Sequence, residues 1–307
     1  MKGSACPNRG HVAQNQIRGS IIDSKTDRRV AVVTDSSAYI PSKLVEKYAI
    51  HVVPLILMMG DKTWRDGVDI DPTTFYELLR TSPDFPTSSQ PSVATFQDLF
   101  VKLSNEVEGI VVIVLSEELS GTIDSARAAA ANLPDIPIEM IDSRGCSMVT
   151  GYPVLAAAKA AAAGEDLQTV ANAARALVGR IRMYFIVDTL EYLHRGGRIG
   201  TAAKLLGSAL DFKPILQVWD GMVRPVTKVR TRRKALAKLY ELLNEQLTEG
   251  DKVHMTVFHT AAREEAARLR EQLETRFHPV EMIETDCSPV MGAHGGPGMV
   301  GVVFYAE

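Results

Sequence analysis

Leu119-Ser120-Gly121-Thr122 sets two hydroxyls and a glycine between an apolar run, Ile110 to Leu115, and an alanine-rich run, Ile123 to Leu133. The first run is β-branched, bounded by Gly109 and too short for a helix, so it reads as a strand buried on both faces. The second has helical composition. Ser120 is then expected at the carboxyl end of a strand, where free backbone N–H groups and a helix N-terminus converge. Two hydroxyls around a glycine that permits close approach suit an anionic or oxygen-rich head group. A Ser/Thr helix cap would leave the same triplet. The pattern recurs, however. Val30 to Val33 runs into Thr34-Asp35-Ser36-Ser37, Ile138 to Ile141 runs into Asp142-Ser143, and Thr87-Ser88-Ser89-Gln90-Pro91-Ser92 precedes a helical run from Val93 to Val107. Four such loops on one expected sheet edge would line a site with polar groups.

Other residues with chemical potential fall later in the chain. His294-Gly295-Gly296-Pro297-Gly298 is glycine-dense and reads as a rigid turn that presents His294. It lacks the Gly-Lys-Ser/Thr of a phosphate loop, and no strand leads into Gly-x-Gly-x-x-Gly, so a dinucleotide fold is not expected. Ser120 with His294 raises the alternative of a serine hydrolase acting on a lipid-like ester. Against it, Ser120 is not in a Gly-x-Ser-x-Gly elbow, and no single Asp stands out as a third member. Arg195-Gly196-Gly197-Arg198 reads as a helix stop flanked by two cations that could face a partner. Arg224 to Lys238 is basic throughout, but no aromatic residue is interleaved as in a nucleic-acid surface, and a solvated face is the simpler reading.

The 307 residues are 46% hydrophobic and 23% charged with a formal charge of −3, an ordinary composition for a soluble protein with no bulk attraction to nucleic acid. The three cysteines, Cys6, Cys146 and Cys287, have no metal-ligand spacing and fit thiols in a reducing cytoplasm. No metal or cofactor is expected. The most apolar helical run, about Ser147 to Ala163, contains Lys159 and is mostly alanine, so no transmembrane segment is expected. Residues 1–29 are polar and basic without an apolar stretch, and read as a flexible extension and not a signal peptide.

These residues are positioned by β-α alternation from Val30 to about residue 165, which predicts a mostly parallel sheet with helices on both faces. Gly164-Glu165-Asp166 separates two helices and marks the expected boundary between an N-terminal α/β domain, 30–165, and a C-terminal α+β domain, 166–307. In the second half the stretch Leu190 to Ile199 is followed by a helix expected to run to Ala209. Asp220-Gly221 between Lys213–Val218 and Met222–Val229 predicts a hairpin. Helices over Arg232–Leu247 and Arg263–Phe277 alternate with strands over Val253–Phe258 and Val280–Ile283, and Gly298–Tyr305 is the last strand.

Taken in order, Thr34-Asp35-Ser36-Ser37, Ser88-Ser89-Gln90-Pro91-Ser92, Leu119-Ser120-Gly121-Thr122, Ile141-Asp142-Ser143, Leu190-Glu191-Tyr192-Leu193 with Gly196-Gly197-Arg198-Ile199, Lys213-Pro214-Ile215-Leu216, and His294 with Gly296-Pro297-Gly298 resemble the DegV family. These are the fatty-acid-binding subunits of bacterial fatty acid kinase. The resemblance covers nearly the whole chain from Val30 onward. It implies a two-domain α/β protein with a long-chain fatty acid between the domains, its carboxylate held at Ser88, Ser120 and His294. Ser89, Gly121, Thr122, Gly296 and Gly298 would form the supporting loops, and Arg195 and Arg198 would face the partner. It further implies a non-catalytic cytoplasmic subunit that presents the carboxylate to a separate ATP-dependent kinase subunit, which makes acyl-phosphate for phospholipid synthesis. The family usually has Thr at the position of Ser88, and Ser-Ser-Gly where this chain has Ser116-Glu117-Glu118.

Overall fold

The computed structural model describes residues 29–207 and 212–307. The extension expected over residues 1–29 and the end of the helix expected to reach Ala209 lie largely outside them. The first half runs β1 (Val30–Asp35), α1 (Ser42–Lys47), β2 (His51–Val53), β3 (Ile56–Met59), β4 (Lys62–Arg65), α2 (Pro72–Thr81), β5 (Thr87–Ser89), α3 (Val93–Ser104), β6 (Gly109–Val114), α4 (Thr122–Ala130), β7 (Ile138–Asp142), α5 (Met148–Ala162) and α6 (Leu167–Arg175). The second runs β8 (Arg182–Ile186), α7 (Glu191–Arg195), β9 (Lys213–Trp219), β10 (Met222–Val229), α8 (Arg232–Gln246), β11 (Val253–His259), α9 (Arg263–Phe277), β12 (Glu281–Asp286), α10 (Pro289–Gly295) and β13 (Val300–Ala306).

β1 and β6 are apolar throughout because both of their faces are covered. Val30, Val32, Val111 and Ile113 point toward α5 and α6, while Ala31, Val33, Ile110 and Val112 point toward Phe96 and Phe100 of α3 and Ile123 of α4. The sheet order is β2-β1-β6-β7, all parallel. Its connections depart in opposite directions from the β1/β6 pair, which opens a crevice at the carboxyl ends of those strands. Asp35, fully buried, ties that edge together: its carboxylate accepts from Ser37 N–H at 2.8 Å and from Leu115 N–H at 2.7 Å.

The second sheet, β10-β9-β8-β13-β11-β12, is mixed. One face packs under α8 and α9 through Tyr184, Met255, Val302, Leu239 and Leu269. The other, with Met183, Phe185, Leu216 and Val218, faces the first domain and shares its core. α5 lies between the two sheets, so it is apolar and buried over most of its length up to the exposed Lys159, and its Tyr152 hydroxyl meets Thr256 of β11 at 2.8 Å.

Four details differ from the sequence reading. Ser88 lies in β5, a short strand paired antiparallel to β3, so it comes from a three-stranded sheet beside the parallel one and not from the same sheet edge. His294 is in the last turn of α10, a helix announced by Ser288 as N-cap and Pro289 at its first position. α7 ends at Arg195, at the Gly196-Gly197 stop, and where a helix toward Ala209 is expected the described residues make a 3₁₀ turn over Gly200–Leu205. α6 falls beyond the expected 165/166 boundary, yet it packs on α5, β6 and β7. The hairpin at Asp220-Gly221 has positive φ at both residues, 53° and 81°, as a type I′ turn requires.

Candidate functional site

Between the domains lies a cavity of about 170 Å³. Its polar wall is made by Ser37, Ser88, Ser120, Arg198 and His294, and Ser89 and Gln90 border it where they also reach the surface. The rest is apolar. Leu55, Leu115 and Cys146 come from the first domain; Phe185, Val218 and Val223 come from the second. The polar groups come from separate segments. Ser37 follows β1 and Ser120 follows β6, at the crevice of the parallel sheet. Ser88 comes from β5, and His294 from the last turn of α10.

Ser88 Oγ and His294 Nε2 lie 2.7 Å apart, joining residues 206 positions distant. Burial, and secondarily the nearby Arg198 guanidinium, pull the His294 pKa from 6.5 to about 4. The ring is therefore neutral at physiological pH. With Nε2 protonated it donates to Ser88 Oγ, which leaves the Ser88 hydroxyl hydrogen free for an acceptor in the cavity. Nδ1 has no partner and faces Gly196. A Cβ at Gly196 would sit 2.3 Å from it, so the imidazole occupies space that only glycine leaves open.

Ser120 is not the helix cap that its context allows. Gly121 holds the N-cap position of α4, and no side chain caps that helix. The Ser120 hydroxyl instead meets Thr122 Oγ1 at 2.9 Å and borders the cavity. Gly121 gives room for the Gln90 side chain, which a Cβ would meet at 2.8 Å. Arg198 crosses the domain gap: its Nε donates to Leu119 O at 3.0 Å and its Nη1 to Gly196 O at 2.8 Å. Arg195 is exposed, pairs with Glu191 at 3.2 Å and lies over the Phe85 ring at 3.7 Å. Gly296 and Gly298, at φ of 73° and 81°, do not border the cavity. They shape the exit from α10, against Tyr192 and Asp188 respectively.

Glu117 and Glu118 are both exposed. Glu117 pairs with Arg127 at 3.4 Å, and Glu118 lies beside the Gly221 turn, so neither carboxylate enters the polar end. Asp220 forms an ion pair with Arg144 of the loop after β7, and Gly221 N–H donates to Arg144 O at 3.2 Å. Among the described residues no cluster of three or more His, Cys, Asp or Glu could hold a metal ion. Burial raises the Cys146 thiol to about 12, so it serves as apolar wall.

The fold is shared by known proteins. The family model described as "Uncharacterised protein, DegV family" matches residues 29–307. The chain belongs to the DegV family. It is 38% identical over 278 residues to a DegV domain-containing protein of Streptomyces coelicolor, covering 90% of this chain and 98% of that one. Among solved structures it is similar to DegV of Bacillus subtilis, a fatty acid binding protein, with a TM-score of 0.85 and 33% identity over 91% of this chain and 100% of the other. A DegV family protein from Thermus thermophilus, described for its fatty acid binding, gives the same TM-score at 30% identity, over 91% and 100% of the two chains.

Within this DegV chain, the apolar half of the cavity and Gly196 carry no functional signature of their own in the sequence. The apolar wall carries no local signature, because each residue is an ordinary core position on its own strand. Gly196 was legible only as a helix stop. Its tight fit to His294 depends on a residue almost a hundred positions away.

Proposed function

We propose that this protein binds a long-chain fatty acid between its domains, with the carboxylate at Ser88, Ser120 and His294 and the tail along the apolar wall. One observation carries this reading: a single cavity joins hydroxyls, a neutral imidazole and one guanidinium at one end to an otherwise apolar lining. A tail of about fifteen methylenes gains on the order of 12 kcal/mol gross from burial, which association and ordering costs reduce. Hydroxyl donors then orient the head group, each hydrogen bond to a charged acceptor contributing about 1.5–3 kcal/mol. The fatty acid binding described for the Bacillus subtilis and Thermus thermophilus proteins supports the same assignment.

The polar end borders the surface at Ser89 and Gln90, so the carboxylate lies within reach of a second protein. The reading therefore extends to presentation of the carboxylate to a separate ATP-dependent fatty acid kinase subunit, making acyl-phosphate for phospholipid synthesis. A serine hydrolase is less well supported. His294 pairs with Ser88 and not Ser120, and its Nδ1 has no carboxylate to orient it. Organic extraction and mass spectrometry of protein made in a lipid-containing host test the binding. A stoichiometric fatty acid is expected; no bound acyl chain and no uptake of added fatty acid would refute it. Adding a cognate kinase and ATP should then yield acyl-phosphate, whereas ester hydrolysis by the protein alone that vanishes in Ser120→Ala would favour the hydrolase.

A further inference from the structure

Ser88 and Ser120 reach the cavity from separate sheets, Ser88 on β5 of the three-stranded sheet and Ser120 beyond β6 of the parallel one. Each hydroxyl is bonded within its own neighbourhood, Ser88 to His294 at 2.7 Å and Ser120 to Thr122 at 2.9 Å. Their separation is therefore left to what joins the two loops. Gln90 stands at that join. It lies two residues after Ser88 and borders the cavity itself. Its Nε2 donates to Ser125 Oγ, early in α4, at 3.5 Å. A hydrogen bond of that length is weak. The closer contact is with Gly121, where a Cβ would meet Nε2 and Oε1 at 2.8 Å each and Cδ at 3.0 Å.

Gly121 has φ of −72° and ψ of 17°, a conformation open to any residue, so its backbone does not require glycine. The three atoms nearest to its missing Cβ all belong to the Gln90 amide. Glycine at 121 thus makes room for that side chain. The Gln90 backbone is held on both sides. Before it, Ser88 and Ser89 pair with Leu57 and Ile56 of β3. After it, the buried Pro91 leads to Ser92, whose hydroxyl caps α3 by accepting from Thr95 N–H at 3.1 Å. From this fixed base the side chain crosses to the start of α4, where Ser120 and Gly121 lie.

We propose, on the fatty acid reading above, that Gln90 is a positioning residue of the head-group site. Its amide, resting on Gly121, spaces Ser120 from Ser88 so that one hydroxyl meets each oxygen of the carboxylate. This spacing favours a carboxylate over a head group with a single oxygen. A fatty alcohol can be held by either serine alone, so its binding is insensitive to their separation. A carboxylate that bridges both loses one charge-assisted bond when the spacing changes. Gln90 is exposed and its amide is the far end of a flexible side chain, so Gly121→Ala displaces it with little effect on the fold.

Binding isotherms of the full chain, stripped of lipid, for palmitate and for the alcohol of the same length test this role. Gln90→Ala should weaken palmitate about tenfold, the loss of one hydrogen bond to a charged group, and the alcohol by less than about threefold. Gly121→Ala should do the same, because its Cβ evicts the amide, and the double variant should lose no more than either alone. In the Gln90→Ala background a further Ser88→Ala should cost palmitate little, since the bridge is already broken. Equal losses for the two ligands, no loss in Gln90→Ala, or losses that multiply in the Gln90/Gly121 double variant would overturn the proposal while leaving fatty acid binding intact. So would a full, independent cost of Ser88→Ala in the Gln90→Ala background, which would mean that Gln90 touches the carboxylate itself. A wild-type chain that takes up neither ligand would overturn the fatty acid reading and the role of Gln90 with it.

Discussion

At neutral pH the imidazole of His294 is uncharged, its pKa brought from 6.5 to about 4 chiefly by burial. The carboxyl of Asp66 moves the other way, from 3.8 to about 6, again chiefly by burial. These two groups hold the same helix. Asp66 Oδ1 accepts from Val290 N–H at the start of α10, and His294 stands in its last turn. A lowered imidazole pKa means that the unfolded chain binds a proton, between 6.5 and about 4, that the fold refuses, so acid destabilises the fold across that window. A raised carboxyl pKa means that the fold binds a proton between about 6 and 3.8 more readily than the unfolded chain, so acid stabilises it there. Going from about pH 7 to about pH 5, the imidazole contribution falls by about 2 kcal/mol and the carboxyl contribution rises by about 1 kcal/mol.

The wild-type response is thus a small difference between opposing effects, and single variants should separate them. Over the same acidification, His294→Gln should gain about 2 kcal/mol relative to wild type, and Asp66→Asn should lose about 1 kcal/mol relative to wild type. Urea unfolding of lipid-free protein at the two pH values, followed by tryptophan fluorescence, measures both. If the offset between wild type and His294→Gln is the same at both pH values, His294 is not a buried neutral imidazole in the fold. The hydrogen-bonding scheme built on that state would then fall with it.

Three further perturbations probe the site and the core beside it. Gly196→Ala places a Cβ 2.3 Å from His294 Nδ1, so it should push the ring off Ser88 and weaken fatty acid binding about tenfold, measured by fluorescent-lipid displacement. Tyr152→Phe removes the 2.8 Å bond to the buried Thr256 hydroxyl and should cost about 1 kcal/mol in equilibrium unfolding. Ser120→Ala and His294→Ala should each weaken fatty acid binding about tenfold or more, and the double variant by less than the sum. Strictly additive losses would place the two residues at separate points on the ligand.

The alternation of runs such as Val30–Val33 and Ile110–Leu115 with helical segments was enough to read a parallel sheet covered on both faces, because burial on both sides demands unbroken apolar strands. Asp220-Gly221 announced its hairpin because a type I′ turn needs two positive φ angles. Lengths failed where tertiary packing decides them. Among the described residues, the helix expected to run on to Ala209 is a 3₁₀ turn over Gly200–Leu205, while α7 ends at Arg195, where Gly196 lies against His294 and Gly197 takes φ of 70°. α6 is separated from α5 by Gly164, which looks like a boundary in one dimension. In three dimensions Leu167 packs onto Gly109 at the start of β6 and keeps α6 in the first domain.

The polar residues of the site were legible as types, but their geometry was not, because it arises between chain segments. Nothing local to Ser88 or His294 says that 2.7 Å separates them. That distance follows from two anchors. The pairing of Leu57 with Ser88 fixes β5 on β3, and the Asp66 carboxylate, itself held by Ser36 Oγ at 2.6 Å, receives the first turn of α10. The other end of α10 is set by Gly296, where any side chain would strike the Tyr192 ring. Held at both ends, α10 carries the imidazole in one orientation, with Nε2 on a hydroxyl and Nδ1 against a glycine. A general base for acyl transfer would need a carboxylate on that second nitrogen to orient the ring and stabilise its charge. Gly196 occupies the place where such a group would stand, and Arg198 beside it disfavours the imidazolium. The arrangement therefore fits the proposed carboxylate site and does not orient His294 to withdraw a proton from a nucleophile.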